Sequence, residues 1–230
     1  MPDFNQSFID TLITSQSKYY KYSQAYYNFN DSSIYYNEFD SIISHKFFFR
    51  QLYYSSYFPL KSRRENKYKL FFINYWPNEN IQSWVRGEGY RNFRKFSLIG
   101  KTLLINPLID LNGRVIDSTF IKNKLVFVKC WFIKCLPCIA EMPELNKIVD
   151  LAKNRKDVLF ISFAYDKKDM LIKFMKNHTF NYAVLPTYKI PEIDSLKISS
   201  FPTHLFVKNN IIEKVISKED IPKIISMYKP

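Results

Sequence analysis

The stretch Val128–Leu145, VKCWFIKCLPCIAEMPEL, decides the fold and holds all three cysteines of the chain, Cys130, Cys135 and Cys138. Its left half closes the run VFVKCWF, which is apolar at nearly every position. A parallel strand buried on both faces reads this way. Its right half, Pro137 to Lys153, has helical spacing interrupted at Pro143. Cys135 therefore stands where a buried strand turns into a helix. Free N–H groups and the helix dipole favour negative charge there. A free thiol has a pKa near about 8.5, and such a place lowers it, so the thiolate form is accessible. Lys134, beside it, acts in the same direction. Cys138 falls in the first turn, close enough to close a ring with Cys135, and Pro137 between them fixes φ and helps start the helix.

Outward from this stretch the pattern alternates. Upstream, Pro107 to Asp117 reads as a hairpin with Asn112-Gly113 as a two-residue turn needing positive φ. Downstream, Val158 to Tyr165 is a second buried strand, and Asp166 opens a helix carrying Met170, Ile172, Phe174 and Met175. Tyr182 to Leu185 is a short strand. His204 to Val207 and Ile211 to Ile216 are strands joined at Asn209-Asn210, and Glu219 to Tyr228 is a closing helix with Pro222 in its first turn. The order β-hairpin, β, α, β, α, β, β, α predicts an α/β layer fold.

The chain divides near Arg94, giving domains 1–94 and 95–230. Phe8, Ile9, Leu12 and Ile13 mark one face of a short helix, capped by Asp3 or Asn5. From Tyr19 to about Phe72 the sequence is Tyr, Phe, Ser and Asn, with runs such as Phe47-Phe48-Phe49. This enrichment predicts strands and turns, hence a smaller, aromatic-rich and β-rich first region. Trp76-Pro77-Asn78 reads as a turn, and a linker is expected around Gly87 and Gly89. The 17 Tyr and 21 Phe share AT-rich codons with the abundant Asn, Ile and Lys, so the excess carries little functional weight.

The formal charge of +13 is scattered, and no nucleic-acid motif accompanies it. It is read as a solvated basic surface. No apolar run approaches the roughly 20 residues of a membrane span. The first residues, MPDFNQSFID, have neither the basic nor the apolar region of a secretion signal, so the chain is cytosolic or begins after a removed signal.

Two distant signatures carry a family resemblance. One is Trp131, Cys135, Pro137, Cys138, Glu141, Pro143, Glu144 and Leu145. The other is Phe201-Pro202-Thr203 followed by an apolar strand. With Ile99-Gly100-Lys101 and Asp110 to Gly113 upstream, they resemble the thioredoxin superfamily, and within it the envelope thiol–disulfide oxidoreductases of the TlpA/ResA type. The match spans about Phe96 to Pro230. The resemblance implies a thioredoxin-like fold, a central mixed sheet flanked by helices, and a protein-disulfide oxidoreductase, more a reductase than an oxidase. It implies Cys135 as attacking thiolate, Cys138 as resolving thiol and Glu141 as proton relay. It implies Trp131, Pro137, Phe201, Pro202 and Thr203 as the substrate-binding surface, with a cis bond before Pro202. The redox centre is the disulfide itself, with no other cofactor and no metal. The implied partners are a disulfide-bearing protein and an upstream thiol donor in the membrane, and the implied place is a bacterial periplasm or cell envelope.

The chain departs from the family at three positions. Lys129 stands where classical thioredoxins carry a buried acid, Lys134 where Trp is frequent, and Cys130 where Phe is usual. With no acid on the strand, Glu141 is the carboxylate at helical spacing from Cys138, and partial burial is expected to raise its pKa toward neutrality. Cys130 is read as a small core hydrophobe, with a resolving role the lesser reading, and His204 as a packed or hydrogen-bonded strand histidine, with a second proton carrier the lesser reading. Three alternatives stay open. A structural zinc site would need four ligands, but a second CxxC is missing. A thiol peroxidase would show a Pro-x-x-x-Thr-x-x-Cys arrangement, also missing. The third is a non-catalytic binding module that uses the fold as scaffold and residues 1–94 as its interaction surface.

Overall fold

The computed structural model describes residues 6–29, 33–198 and 200–228. Asp3 and Asn5, the expected caps, lie outside the described residues. The chain divides into two compact units, 1–97 and 98–230.

In the first unit α1 (Gln6–Thr14) and α2 (Gln16–Tyr26) lead to β1 (Ile34–Tyr36) and β2 (Ile42–Ile43). Then come α3 (His45–Tyr54), β3 (Tyr57–Lys61), β4 (Lys67–Phe72) and α4 (Glu79–Phe96). The sheet order is β2-β1-β4-β3, with β1 and β4 parallel. The β-rich expectation needs correction: the sheet is present, but helices take the larger share of this unit. Phe47-Phe48-Phe49 lies in α3 because Phe48, Phe49 and Leu52 bury one helical face and Ser44 caps the helix through Phe47 N. The expected linker around Gly87 and Gly89 is the middle of α4. Asn78 caps that helix, and Ile81, Val85 and Gly89 recur at intervals of four on its buried face. The aromatic excess also has a use. Tyr68 donates to Tyr26 O and accepts from Asn28 N, and the Tyr22 hydroxyl accepts from Lys61 N, so rings fill the core while hydroxyls satisfy backbone.

The second unit opens with the antiparallel pair β5 (Leu108–Ile109) and β6 (Val115–Ile116), followed by α5 (Ser118–Ile121). The connection is not a two-residue turn. Gly113 alone of the expected pair has positive φ, and the buried Asp110 carboxylate accepts from Asn112 N and Arg114 N, closing a longer loop. Next come β7 (Leu125–Trp131), α6 (Leu136–Ala140), α7 (Met142–Leu151), β8 (Val158–Ala164), α8 (Lys168–Met175) and β9 (Ala183–Pro186). The chain closes with α9 (Pro191–Asp194), β10 (Thr203–Lys208), β11 (Ile211–Ile216) and α10 (Ile221–Met227). The sheet order is β11-β10-β7-β8-β9, with β7, β8 and β9 parallel and β10 and β11 antiparallel. Asn209 and Asn210 both adopt positive φ at the β10–β11 turn. Asp166 does not cap α8, where Lys167 is the capping residue; its carboxylate accepts from Ile133 N at 2.7 Å instead.

β7 is central, and all seven of its residues are buried. Side chains alternate across a sheet. Val126, Val128 and Cys130 join one apolar layer with Ile161, Leu205 and Val215. Leu125, Phe127 and Trp131 join the other, with Cys135, Cys138, Phe206 and Ile224. Lys129 shares the parity of Phe127 and Trp131, so it lies in the layer that holds the cysteine pair.

Candidate active site

Cys135 is the N-cap of α6, and Cys138 lies inside that helix. The two form a disulfide with Cα atoms 5.2 Å apart. Cys135 keeps 5% of its surface exposed and Cys138 none, so Cys135 is the sulfur an incoming group meets first. Leu136 and Pro137 beside it are exposed. Cys130 is free and buried in the opposite layer, where burial pushes its thiol pKa up. It belongs to the apolar core of that layer.

The strands bring up more than the sequence reading anticipated. Lys129 and His204 are direct cross-strand partners on β7 and β10. Both reach the carboxylate of Glu141, the residue between α6 and α7. Lys129 Nζ, fully buried, makes a short ion pair with Glu141 Oε1 and donates to the Cys138 carbonyl at 2.9 Å. His204 Nε2 lies 2.9 Å from the same Oε1. A lysine at the strand position of a buried acid therefore does not leave the site without a carboxylate. It draws one in from the helix.

This convergence reverses the expected Glu141 pKa. Burial alone would raise it, but the hydrogen bond and charge of His204, joined by those of Lys129, hold it below its ordinary value. Burial pulls the Lys129 pKa below the ordinary lysine value, and Glu141 opposes that pull. The signal that would have found the group was available. A charged residue with core parity inside an apolar strand needs a counter-charge, and Glu141 is the acid of the adjoining helix.

The expected substrate-facing residues separate into two sets. Phe201 and Pro202 are half-buried, and the peptide between them is cis. Phe201 makes edge contacts with Phe132 and Tyr165. Trp131 and Thr203 need correction as substrate contacts. Trp131 is fully buried against Phe174 and Phe180. Thr203 is buried, and its hydroxyl donates to Ser200 O at 2.7 Å. Among the described residues, no cluster of three or more His, Cys, Asp or Glu side chains is disposed to hold a metal ion.

A CxxC disulfide at the helix that follows the central strand of this five-stranded mixed sheet defines a thioredoxin-fold protein. The chain has this fold and is ResA-like in sequence. No family model matches it. It is similar to the thiol-disulfide oxidoreductase ResA of Bacillus cereus, 27% identical over 124 residues, covering 53% of this chain and 71% of that one. The ResA of Geobacillus thermodenitrificans is 26% identical over 138 residues, covering 57% and 79%. Among solved structures, a thioredoxin-family thiol:disulfide interchange protein from Chlorobium tepidum TLS aligns with a TM-score of 0.47 and 20% identity, over 56% of this chain and 95% of that one. A putative protein disulfide isomerase from Bacteroides thetaiotaomicron aligns with a TM-score of 0.49 and 17% identity, over 56% and 86%.

Proposed function

We propose that this chain is a thiol–disulfide oxidoreductase that reduces protein disulfides through Cys135 and Cys138. The observation that carries the reading is the Cys135–Cys138 disulfide at the start of α6, with one sulfur reachable and the other buried. The names of the ResA relatives support the reaction class. In the reduced protein, the Cys135 thiolate attacks a substrate disulfide, and one substrate sulfur leaves as a thiolate. Cys138 gives its proton to Glu141, and its sulfur attacks Cys135. The Cys135–Cys138 bond forms as the mixed disulfide breaks, and the second substrate thiolate leaves. Two electrons pass from the protein to the substrate. The exposed Leu136 and Pro137, with the Phe201–Pro202 edge, form the substrate surface, where an extended peptide can pair as an added strand.

Residues 1–94 and 95–230 are read as separate domains, a division supported by the compact units meeting at 97/98. By family resemblance the protein works in a bacterial cell envelope, and a membrane thiol donor restores the reduced pair. The test is reduction of a disulfide reporter, such as insulin, by wild type and by Cys135→Ser with dithiothreitol as donor. Wild type should accelerate reduction and Cys135→Ser should not. Equal rates for both would end the reading.

A further inference from the structure

Lys129 is a buried charged side chain of the site that the mechanism leaves unused. It has no exposed surface, it lies on the central strand, and its ammonium donates to two groups of the resolving segment, the Cys138 carbonyl and the Glu141 carboxylate. We infer that Lys129 is the positioning residue of the resolving step: its buried ammonium ties the Glu141 carboxylate to the segment that carries Cys138, where it receives the thiol proton, and supplies the positive charge that offsets the thiolate. The inference rests on the redox reading above and deepens it.

Charge balance supports this role. Before resolution the buried group holds an ammonium, a carboxylate and a neutral thiol. After the proton moves, it holds an ammonium, a neutral carboxyl and a thiolate. The total is the same, and the cation has a partner in both states. Without Lys129 the thiolate formed by the same transfer has no buried ammonium to offset it, and unpaired buried charge is costly. The acid of a classical thioredoxin comes from the strand. Here the strand supplies the cation and the helix supplies the acid, so the arrangement is inverted.

The surroundings contain few competitors for either role. Across β8, Ser162 is the register partner of Lys129, and its buried hydroxyl has no hydrogen-bond partner among the described residues. Before β9, Tyr182 is buried with an unpartnered hydroxyl, and burial, helped by the Glu141 charge, raises its pKa. Lys218, after β11, acts on Lys129 through its charge and is itself engaged by Glu144 and Glu219. Cys130 belongs to the opposite layer. His204 on β10 is the second group on Glu141. The Phe180 ring lies 5.7 Å from the Lys129 ammonium.

The test follows the lifetime of the mixed disulfide between reduced full-length protein and oxidised glutathione, by acid quench and mass measurement, from pH 4 to pH 8. In wild type, the ionised Glu141 keeps resolution fast down to the acid end of the range. In Lys129→Met the acid limb should move up by about one pH unit or more, the shift one nearby opposite charge produces. A one-unit shift is about a tenfold slower resolution on that limb. Should Lys129→Met lose the fold, Lys129→Gln, which keeps a donor without the charge, carries the same reading. A folded variant with the wild-type limb overturns the proposal, even if it is uniformly slower, because a purely structural role would slow all pH values alike. Failure of the redox reading looks different: wild type would form no mixed disulfide at all.

Discussion

At the scale of the residue, Glu141 is the hub. One oxygen meets both Lys129 and His204, and the side chain is only 11% exposed. Removing one member of a buried ion pair strands the other, at a cost of about 3–5 kcal/mol. Glutamine keeps an acceptor for Lys129, so Glu141→Gln should fall at the lower end, a loss of about 3 kcal/mol at pH 7 by urea unfolding. The pH dependence has a definite sign. The folded pKa of Glu141 is depressed, and its unfolded value is about 4.3. Its contribution is therefore fully present above the unfolded value and fades as pH falls through the folded one. The stability gap between wild type and Glu141→Gln should narrow as pH drops below about 4. A gap that is the same at pH 7 and pH 3 would mean that Glu141 acts through packing and not through charge.

At the scale of the element, glycines 87 and 89 make opposite demands on α4. A Cβ at Gly89 would lie 2.7 Å from Tyr53 N and 2.8 Å from Leu52 C, so the backbone of α3 would have to move. A Cβ at Gly87 meets only the guanidinium end of Arg91, at 3.3 Å. Alanine is the better helix former by about 1 kcal/mol, but overpacking costs about 1–3 kcal/mol. Gly87→Ala should raise the urea midpoint of the full chain and Gly89→Ala should lower it. Equal gains for both would mean that α3 and α4 do not pack closely at Gly89.

Those glycines also mark where sequence reading stopped. β7, β8 and the β10–β11 turn were legible because each has a local signature: an apolar run, or an Asn pair suited to positive φ. The first unit hid its helices. Its buried positions are aromatic, and aromatic residues carry strand propensity, so composition outweighed the spacing of Phe48, Phe49 and Leu52 and the caps at Ser44 and Asn78. At the site, the cysteines and Glu141 were legible from a contiguous motif. The partners of Glu141 were not, because Lys129 and His204 meet only through the register of two distant strands. The expected rise in its pKa counted burial and omitted them.

At the scale of the whole molecule, the two units have separate cores. Among the described residues, the aromatic cluster runs from Ile9 to Phe96, all within the first unit. The two layers on the sheet that carries the cysteine pair run, among the described residues, from Leu98 to Val215 and from Leu125 to Ile224, all within the second unit. A core complete within its own segment is the mark of an autonomous domain, and residues 98–230 are of ordinary domain length, about 100–150 residues. Every group the proposed chemistry uses, Lys129, Cys135, Cys138 and Glu141, lies inside that segment, as does His204. Residues 98–230 expressed alone should therefore fold, form the Cys135–Cys138 disulfide and exchange with oxidised glutathione at a rate within about twofold of the full chain, since nothing in the charge balance of the site calls on the first unit. Circular dichroism and the quench assay read both properties in one preparation. A fragment that folds but resolves its mixed disulfide tenfold slower would make the first unit part of the catalytic body, and the role of its aromatic surface would then be sought in the reaction itself and not in a separate binding event.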